Sequence, residues 1–382
     1  MRWFRRFLWR SGERTQATVR MLPGLVADEW RETRNGMTRV AILGAGDMGT
    51  AMLTPLAGRH EVRLWGTAYD AVIITRLQAG GTHPRLDIRA PDDVHLCAVA
   101  ELEKALDGAE IVALAVSSHG VRPVMQEIAP IVPDARAVMI LSKGLEQPQA
   151  EGRVQRFSEL ATEYTRVPIV AVGGPGIARE VALGIPTAAV FASTSMDALE
   201  LTRQVFGTPA YLVETTTDTE GVELAAALKN AFAMSFGMVD GVEKANGQPH
   251  ANLRAALFPR AMVELADLVV SLGGRPETVY GLAGLGDLQV TASAGRNRLL
   301  GERIGAGATA AAAVADLHAA GITTEGFAVT ELGYRLAREI CDDDDAAVQR
   351  RFPLLAGLER IANADAPPLN TLWQAVRSDT SE

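Results

Sequence analysis

The chain has 382 residues, of which 48% are hydrophobic and 22% charged, and it carries a net charge of -9. This is the composition of a soluble globular protein, and the length suits two domains with separate cores. The acidic balance excludes a general nucleic-acid binder, which needs clustered Lys and Arg against phosphates. Cys97 and Cys341 cannot build a disulfide framework, and the six histidines show no metal-binding spacing, so no metal and a reducing cytoplasm are expected.

Residues 1–36 stand apart. "MRWFRRFLWR" mixes arginines with Trp3, Phe4, Phe7 and Trp9, is far too short to span a bilayer and lacks the apolar core of a signal peptide. One reading is a basic amphipathic helix in weak contact with a membrane surface. The favoured one is a disordered leader, because "MTRVAILGAG" from Met37 opens a domain directly.

From Arg39, "RVAILGAG", "EVRLW", "EIVALAV", "AVMILS" and "VPIVAVGG" are short apolar runs separated by helix-length segments. They predict an α/β fold with a doubly wound, Rossmann-like parallel sheet. "PTAAVFAS" and "AYLVETT" are expected to extend the sheet, which gives a dinucleotide-binding domain over 37–215. The texture then becomes helical: Leu224, Leu228, Phe232 and Phe236 recur at helical spacing, and so do Leu253, Leu257, Ala261, Leu265 and Leu268. Pro259 should kink or break the second of these helices. An all-helical substrate domain over 216–372 follows, with a tail over 373–382.

"ILGAGDMGTA" sets Gly44, Gly46 and Gly49 as GxGxxG between a strand and a helix. The first glycine permits the tight turn, the second lets backbone approach a pyrophosphate, and the third lets the helix pack closely. The coenzyme is NAD or NADP; "LWGTAYD" puts neither an acid nor an arginine at the end of the second strand, so the choice stays open. Lys143 in "SKGLE" should project from the carboxyl end of the sheet, where such folds bind ligands. Lys229 edges an apolar stripe in "ELAAALKNAF", where a lysine either snorkels to water or sits desolvated with a lowered pKa. "GLAGLGDLQVTASAGRNR", residues 281–298, is too glycine-rich for a simple packed helix in its first half. It is expected to form a sharply shaped segment carrying Asp287, Thr291, Arg296 and Asn297.

"GAGDMGTA", "SSHGVR", "SKGLEQ", "GGPGIAREV", "GVELAAALKNAFA", "GLAGLGDLQVT", "GRNRLLGE" and "TEGF" occur in that order, from about Arg39 to beyond Pro353. Together they resemble the motifs of the NAD(P)-dependent sn-glycerol-3-phosphate dehydrogenases, with the chain a divergent member. The resemblance implies hydride transfer between NAD(P)H and dihydroxyacetone phosphate or sn-glycerol 3-phosphate. It implies Lys229 as acid/base, with Lys143 and Asp287 beside it, and a substrate site including Gly174, Asn230, Thr291, Arg296 and Asn297. It further implies cofactor contacts at Asp47, Met48, Ser118, Lys143, Ala178, Arg296 and Glu325, and a homodimer. The chain departs from the family at Val116-Ser117-Ser118 in place of a V-P-S turn, at Gly176 in place of Ser, Thr or Asn, at Thr67 in place of a frequent arginine, and at Pro259. Two alternatives stand beside this reading. One is a paralogue acting on another phosphorylated or phosphonate alcohol, motivated by Gly176; the other is a non-catalytic dinucleotide sensor or scaffold.

Overall fold

Eight strands form one sheet: β1 (Arg39–Leu43), β2 (Glu61–Trp65), β3 (Val94–Cys97), β4 (Ile111–Leu114), β5 (Ala137–Ile140), β6 (Ile169–Gly173), β7 (Thr187–Ala192) and β8 (Tyr211–Thr216). Their spatial order is β8-β7-β6-β5-β4-β1-β2-β3. The structure, a computed structural model, describes residues 36–132, 134–147 and 152–378, so the basic leader lies outside the described residues. Six strands run parallel, and alternation along β1 sends Val40 and Ile42 into the apolar cluster on one face and Ala41 and Leu43 into that on the other. Burial on both faces is why these strands read as continuous apolar runs.

The last two strands differ from expectation. β7 pairs antiparallel with β6, and β8 runs parallel to β7. The helix between β6 and β7, Ala178–Ala182, has five residues, about 7.5 Å at 1.5 Å per residue. It is too short to carry the chain back along a strand of about 17 Å, so β7 starts from the end where β6 stops. The edge strand β3, "VHLC", is buried only at its ends, Val94 and Cys97, and has no long apolar run to announce it.

The helices that place the site are α1 (Asp47–Ala51), α2 (Ser118–Ile128), α3 (Thr219–Asn246), α4 (Ala251–Ser271), α5 (Asp287–Ala294), α6 (Arg296–Gly305), α7 (Gly326–Ile340) and α8 (Pro353–Ala364). α3 is the axis of the helical half: nearly every residue from Thr219 to Val242 is buried. It is long and apolar enough to cross a membrane, but that apolar window is wholly enclosed by protein. α4 continues as one helix through Pro259, so the expected break does not occur there. Pro259 and Ala255, whose carbonyl loses its helical donor, both lie on the exposed face, where water can serve that oxygen. The expected tail over 373–382 is helical in its first part, since a helix runs Pro368–Arg377 and buries Leu372 and Ala375.

α3 and α6 touch backbone to backbone. A Cβ added to Gly301 or Gly305 would collide with the carbonyl of Met234 or Met238, and one on Gly237 or Gly241 with that of Arg298 or Glu302. Two G-x-x-x-G stretches therefore face one another, and the helices run side by side in the same direction.

Candidate active site

The loop after β1 has the geometry its three glycines predict. Gly44 has φ +112°, and a Cβ there would come within 2.6 Å of the Ala115 carbonyl oxygen. A Cβ on Gly49 would collide with the Gly44 carbonyl, so close packing of α1 depends on glycine. Gly46 differs: a Cβ there would meet no protein atom, and its φ of -70° is open to any residue. The protein itself does not require glycine at 46, whereas a pyrophosphate laid against that backbone would. On this ground the loop fits a dinucleotide. Asp47 and Met48 follow at the start of α1, and Met48 packs with Ala178 against the same apolar cluster.

The two lysines meet at one carboxylate. Lys229, 4% exposed in the middle of α3, donates from Nζ to Asp287 Oδ1 at 2.8 Å and to Thr291 Oγ1 at 2.6 Å. Lys143 reaches in from beyond β5 and donates to Asp287 Oδ2 at 2.8 Å and to the Gly174 carbonyl at 2.6 Å. Asp287 is 1% exposed and bridges them. Burial pushes Lys229 down from its ordinary 10.5 to about 8; Asp287 opposes the shift, while Lys143 and Arg296 add to it. The snorkelling reading of Lys229 is thereby set aside.

Asp287 stands where it does because the glycine run is neither a turn nor a plain helix. Leu282–Gly286 is a π-helical turn, with Gly286 N donating to Gly281 O, and it runs directly into α5. Arg296 begins α6, is exposed, and forms no hydrogen bond or ion pair with a described residue. Asn297 is instead buried and committed: Nδ2 donates to Asn230 Oδ1 at 2.8 Å, and Oδ1 accepts from Glu325 N at 3.1 Å and Gly326 N at 2.9 Å. It ties α3 to the start of α7, with one Nδ2 hydrogen left for a substrate. Glu325 in turn accepts from Ser118 Oγ at 3.0 Å, at the edge of a cavity of about 240 Å³ between α2 and α7. A smaller cavity, about 20 Å³, is lined among others by Met48, Lys143, Gly174 and Gly176. A Cβ at Gly176 would meet only Met48 Cε, at 3.6 Å, and the Gly174 carbonyl, at 4.0 Å.

One residue of this region escaped sequence reasoning as a site element. Asp70 Oδ2 accepts from Thr67 Oγ1 at 2.7 Å and from the amides of Thr67 and Ala45 at 3.2 Å, which fastens the turn after β2 to the nucleotide loop. The signal was its position three residues after Thr67, a capping-box spacing.

A nucleotide loop at the carboxyl edge of a sheet, facing a buried lysine on a helical half, defines a nicotinamide-dependent alcohol dehydrogenase of two-part build. The family description "NAD-dependent glycerol-3-phosphate dehydrogenase N-terminus" matches residues 39–199, and the corresponding C-terminus matches 218–372. The chain is 39% identical to the "NADP(+)-dependent glycerol-3-phosphate dehydrogenase" of Archaeoglobus fulgidus over 80% of its own length and 91% of the relative's. It is 36% identical to the "Glycerol-3-phosphate dehydrogenase [NAD(P)+]" of Koribacter versatilis, covering 79% and 88%. The crystal structure of glycerol-3-phosphate dehydrogenase from Coxiella burnetii superposes with a TM-score of 0.76 at 30% identity, covering 89% of this chain and 99% of the other. The chain belongs to the NAD(P)-dependent glycerol-3-phosphate dehydrogenase family. It is an oxidoreductase that takes NAD or NADP and acts on a CH–OH group.

Proposed function

We propose that Lys229 delivers and removes the proton at the C2 oxygen as this enzyme interconverts dihydroxyacetone phosphate and sn-glycerol 3-phosphate. The observation that carries the reading is a cation 4% exposed, lowered to about 8, and aimed by Asp287 and Thr291. A proton donor near working pH suits a ketone that becomes an alkoxide as it is reduced. The bound nicotinamide ring supplies or accepts the hydride. Protonated Lys229 gives its proton to the oxygen in reduction, and neutral Lys229 takes it back in oxidation. Lys143, held by Asp287 and the Gly174 carbonyl, keeps a second positive charge beside the reacting oxygen. Arg296 offers a guanidinium with no partner among the described residues, whose fork of donors matches a phosphate, while Asn230 and Asn297, joined by a hydrogen bond, stand next in sequence to Lys229 and Arg296. In this division 37–215 holds the coenzyme and 216–372 the substrate; a cytoplasmic setting and a homodimer accompany it by family analogy.

Arg296→Ala tests the phosphate assignment. The KM for dihydroxyacetone phosphate should rise about 10-fold or more, as for the loss of a charge-assisted pair, with the coenzyme KM changed far less. Equal rises in both would refute it. The room beside Gly176 favours a second reading, a larger phosphorylated alcohol as substrate. Turnover of such an alcohol, with none of dihydroxyacetone phosphate using either coenzyme, would replace the first reading by the second.

A further inference from the structure

The segment Thr82–Leu86, "THPRL", lies against the nucleotide loop and has no role in the chemistry above. His83 is fully buried at its base. Its Nδ1 accepts from the amides of Arg85 at 3.3 Å and Leu86 at 3.2 Å, so the neutral ring carries its proton on Nε2, which faces Asp47 at 3.8 Å. This anchor sets Arg85 beside the residue that follows Gly46: Arg85 Nε donates to Asp47 Oδ1 at 2.7 Å. The Arg85 side chain is otherwise 55% exposed, and its two terminal nitrogens have no partner among the described residues.

Across the loop, at the end of β2, NAD-binding folds hold the ribose hydroxyls with a free carboxylate. Here that place is taken by Gly66 and Thr67. The nearest acid, Asp70, has Oδ2 occupied by three donors from Thr67 and Ala45. A neutral strand end, together with an arginine at the nucleotide loop whose terminal nitrogens have no partner among the described residues, suits an added phosphate better than a bare hydroxyl.

We propose that Arg85 reads the 2′-phosphate of NADP(H), so that this chain selects the phosphorylated coenzyme through the Thr82–Leu86 segment rather than through a residue at the end of β2. Asp47 holds Nε, and the terminal nitrogens keep the paired donors that grip a phosphate in two places. The proposal rests on the nucleotide reading of the glycine loop and adds to it the identity of the coenzyme.

Isothermal titration of the full chain with 2′-phospho-ADP-ribose and with ADP-ribose tests it, since the two differ only in that phosphate and neither can react. The wild-type chain should bind the phosphorylated ligand at least about 10-fold more tightly, the scale of one charge-assisted bidentate contact. Arg85→Gln should abolish the preference while changing the Kd for ADP-ribose by less than about 3-fold, and Arg85→Lys should keep part of it. Arg85 is exposed enough that folding should be spared, which the melting temperature checks. Equal or tighter binding of ADP-ribose by the wild-type chain would assign the ribose to Asp70 and overturn the proposal. So would a Gln variant that weakens both ligands alike. If neither ligand bound, the loop reading would fall, and this proposal with it.

Discussion

Lys229→Met removes the buried charge while keeping a stem of similar length. General acid–base assistance contributes about 10²- to 10⁴-fold to a rate, and the same change withdraws a cation from the developing alkoxide. A loss of about 10³-fold in kcat is expected, or about 4 kcal/mol at 1.36 kcal/mol per decade. The assay follows coenzyme absorbance in both directions from pH 6 to 9.5. In the wild-type enzyme kcat for ketone reduction should fall as pH rises through about 8, where Lys229 loses its proton, and kcat for alcohol oxidation should rise through the same range. The variant's residual rate should lack this inflection. Stability gives an independent reading. Depression from 10.5 to about 8 corresponds to about 3 kcal/mol, the cost of keeping the group charged in the folded state. Between those values the unfolded chain holds a proton that the folded chain has released, so this group makes stability rise with pH across that window. Lys229→Met should cancel that rise and leave the unfolding midpoint at pH 7 no lower than wild type. A variant with kcat within 10-fold of wild type and an intact inflection near pH 8 would refute the assignment.

Gly46→Ala should leave the melting temperature unchanged, because its Cβ meets no protein atom, yet weaken NAD(P)H by about 10-fold or more in fluorescence titration. Gly301→Ala should do the reverse of what glycine-to-alanine does in an ordinary helix. Instead of a gain of about 1 kcal/mol, the collision with the Met234 carbonyl should cost about 3 kcal/mol in urea unfolding and raise the substrate KM as Asn297 shifts. Glu264, 1% exposed on α4, accepts from the amides of Leu354 and Leu355 and so caps α8 from outside. Burial raises its pKa to about 8, against the pull of those two amides. Its contribution to stability is therefore full below about pH 4.5 and lost as pH rises through about 8. The stability difference between wild type and Glu264→Gln should shrink over that range, and a difference that grew with pH would contradict the shift.

The nucleotide loop was legible because its demands are local: Gly44, Gly46 and Gly49 do their work within six residues of one another. Lys229 was not decidable from its own helix. A lysine beside an apolar stripe reaches water unless other helices close over it, and α3 is enclosed by elements far away in sequence. Asp287 joins lysines 58 and 144 residues away, a relation that no spacing rule contains. Asn297 entered the expected substrate site through the resemblance alone, and the backbone amides 28 and 29 residues downstream that its carbonyl oxygen accepts from could not be read from the sequence. The reversal of β7 and the continuation of α4 through Pro259 depend, in turn, on how far a five-residue helix can reach and on which face a carbonyl is left bare. Gly237, Gly241, Gly301 and Gly305 lie inside helices, where glycine by itself only lowers helix stability, and the pairing of α3 with α6 is what makes them a contact surface.

That contact also acts as a vernier. Along α3 and α6 the contacts repeat one turn apart: Gly301 meets Met234 and Gly305 meets Met238, Gly237 meets Arg298 and Gly241 meets Glu302, and Asn297 bonds to Asn230. This register, locked at glycines further along both helices, keeps Arg296 within electrostatic reach of Lys229. A slip of one turn, about 5.4 Å, would carry the guanidinium away and remove one of the charges that, with burial as the main cause, hold Lys229 below its ordinary value. Backbone shape outside the pocket thus helps to set the charge around a buried lysine, and mutations that never touch the pocket can alter it.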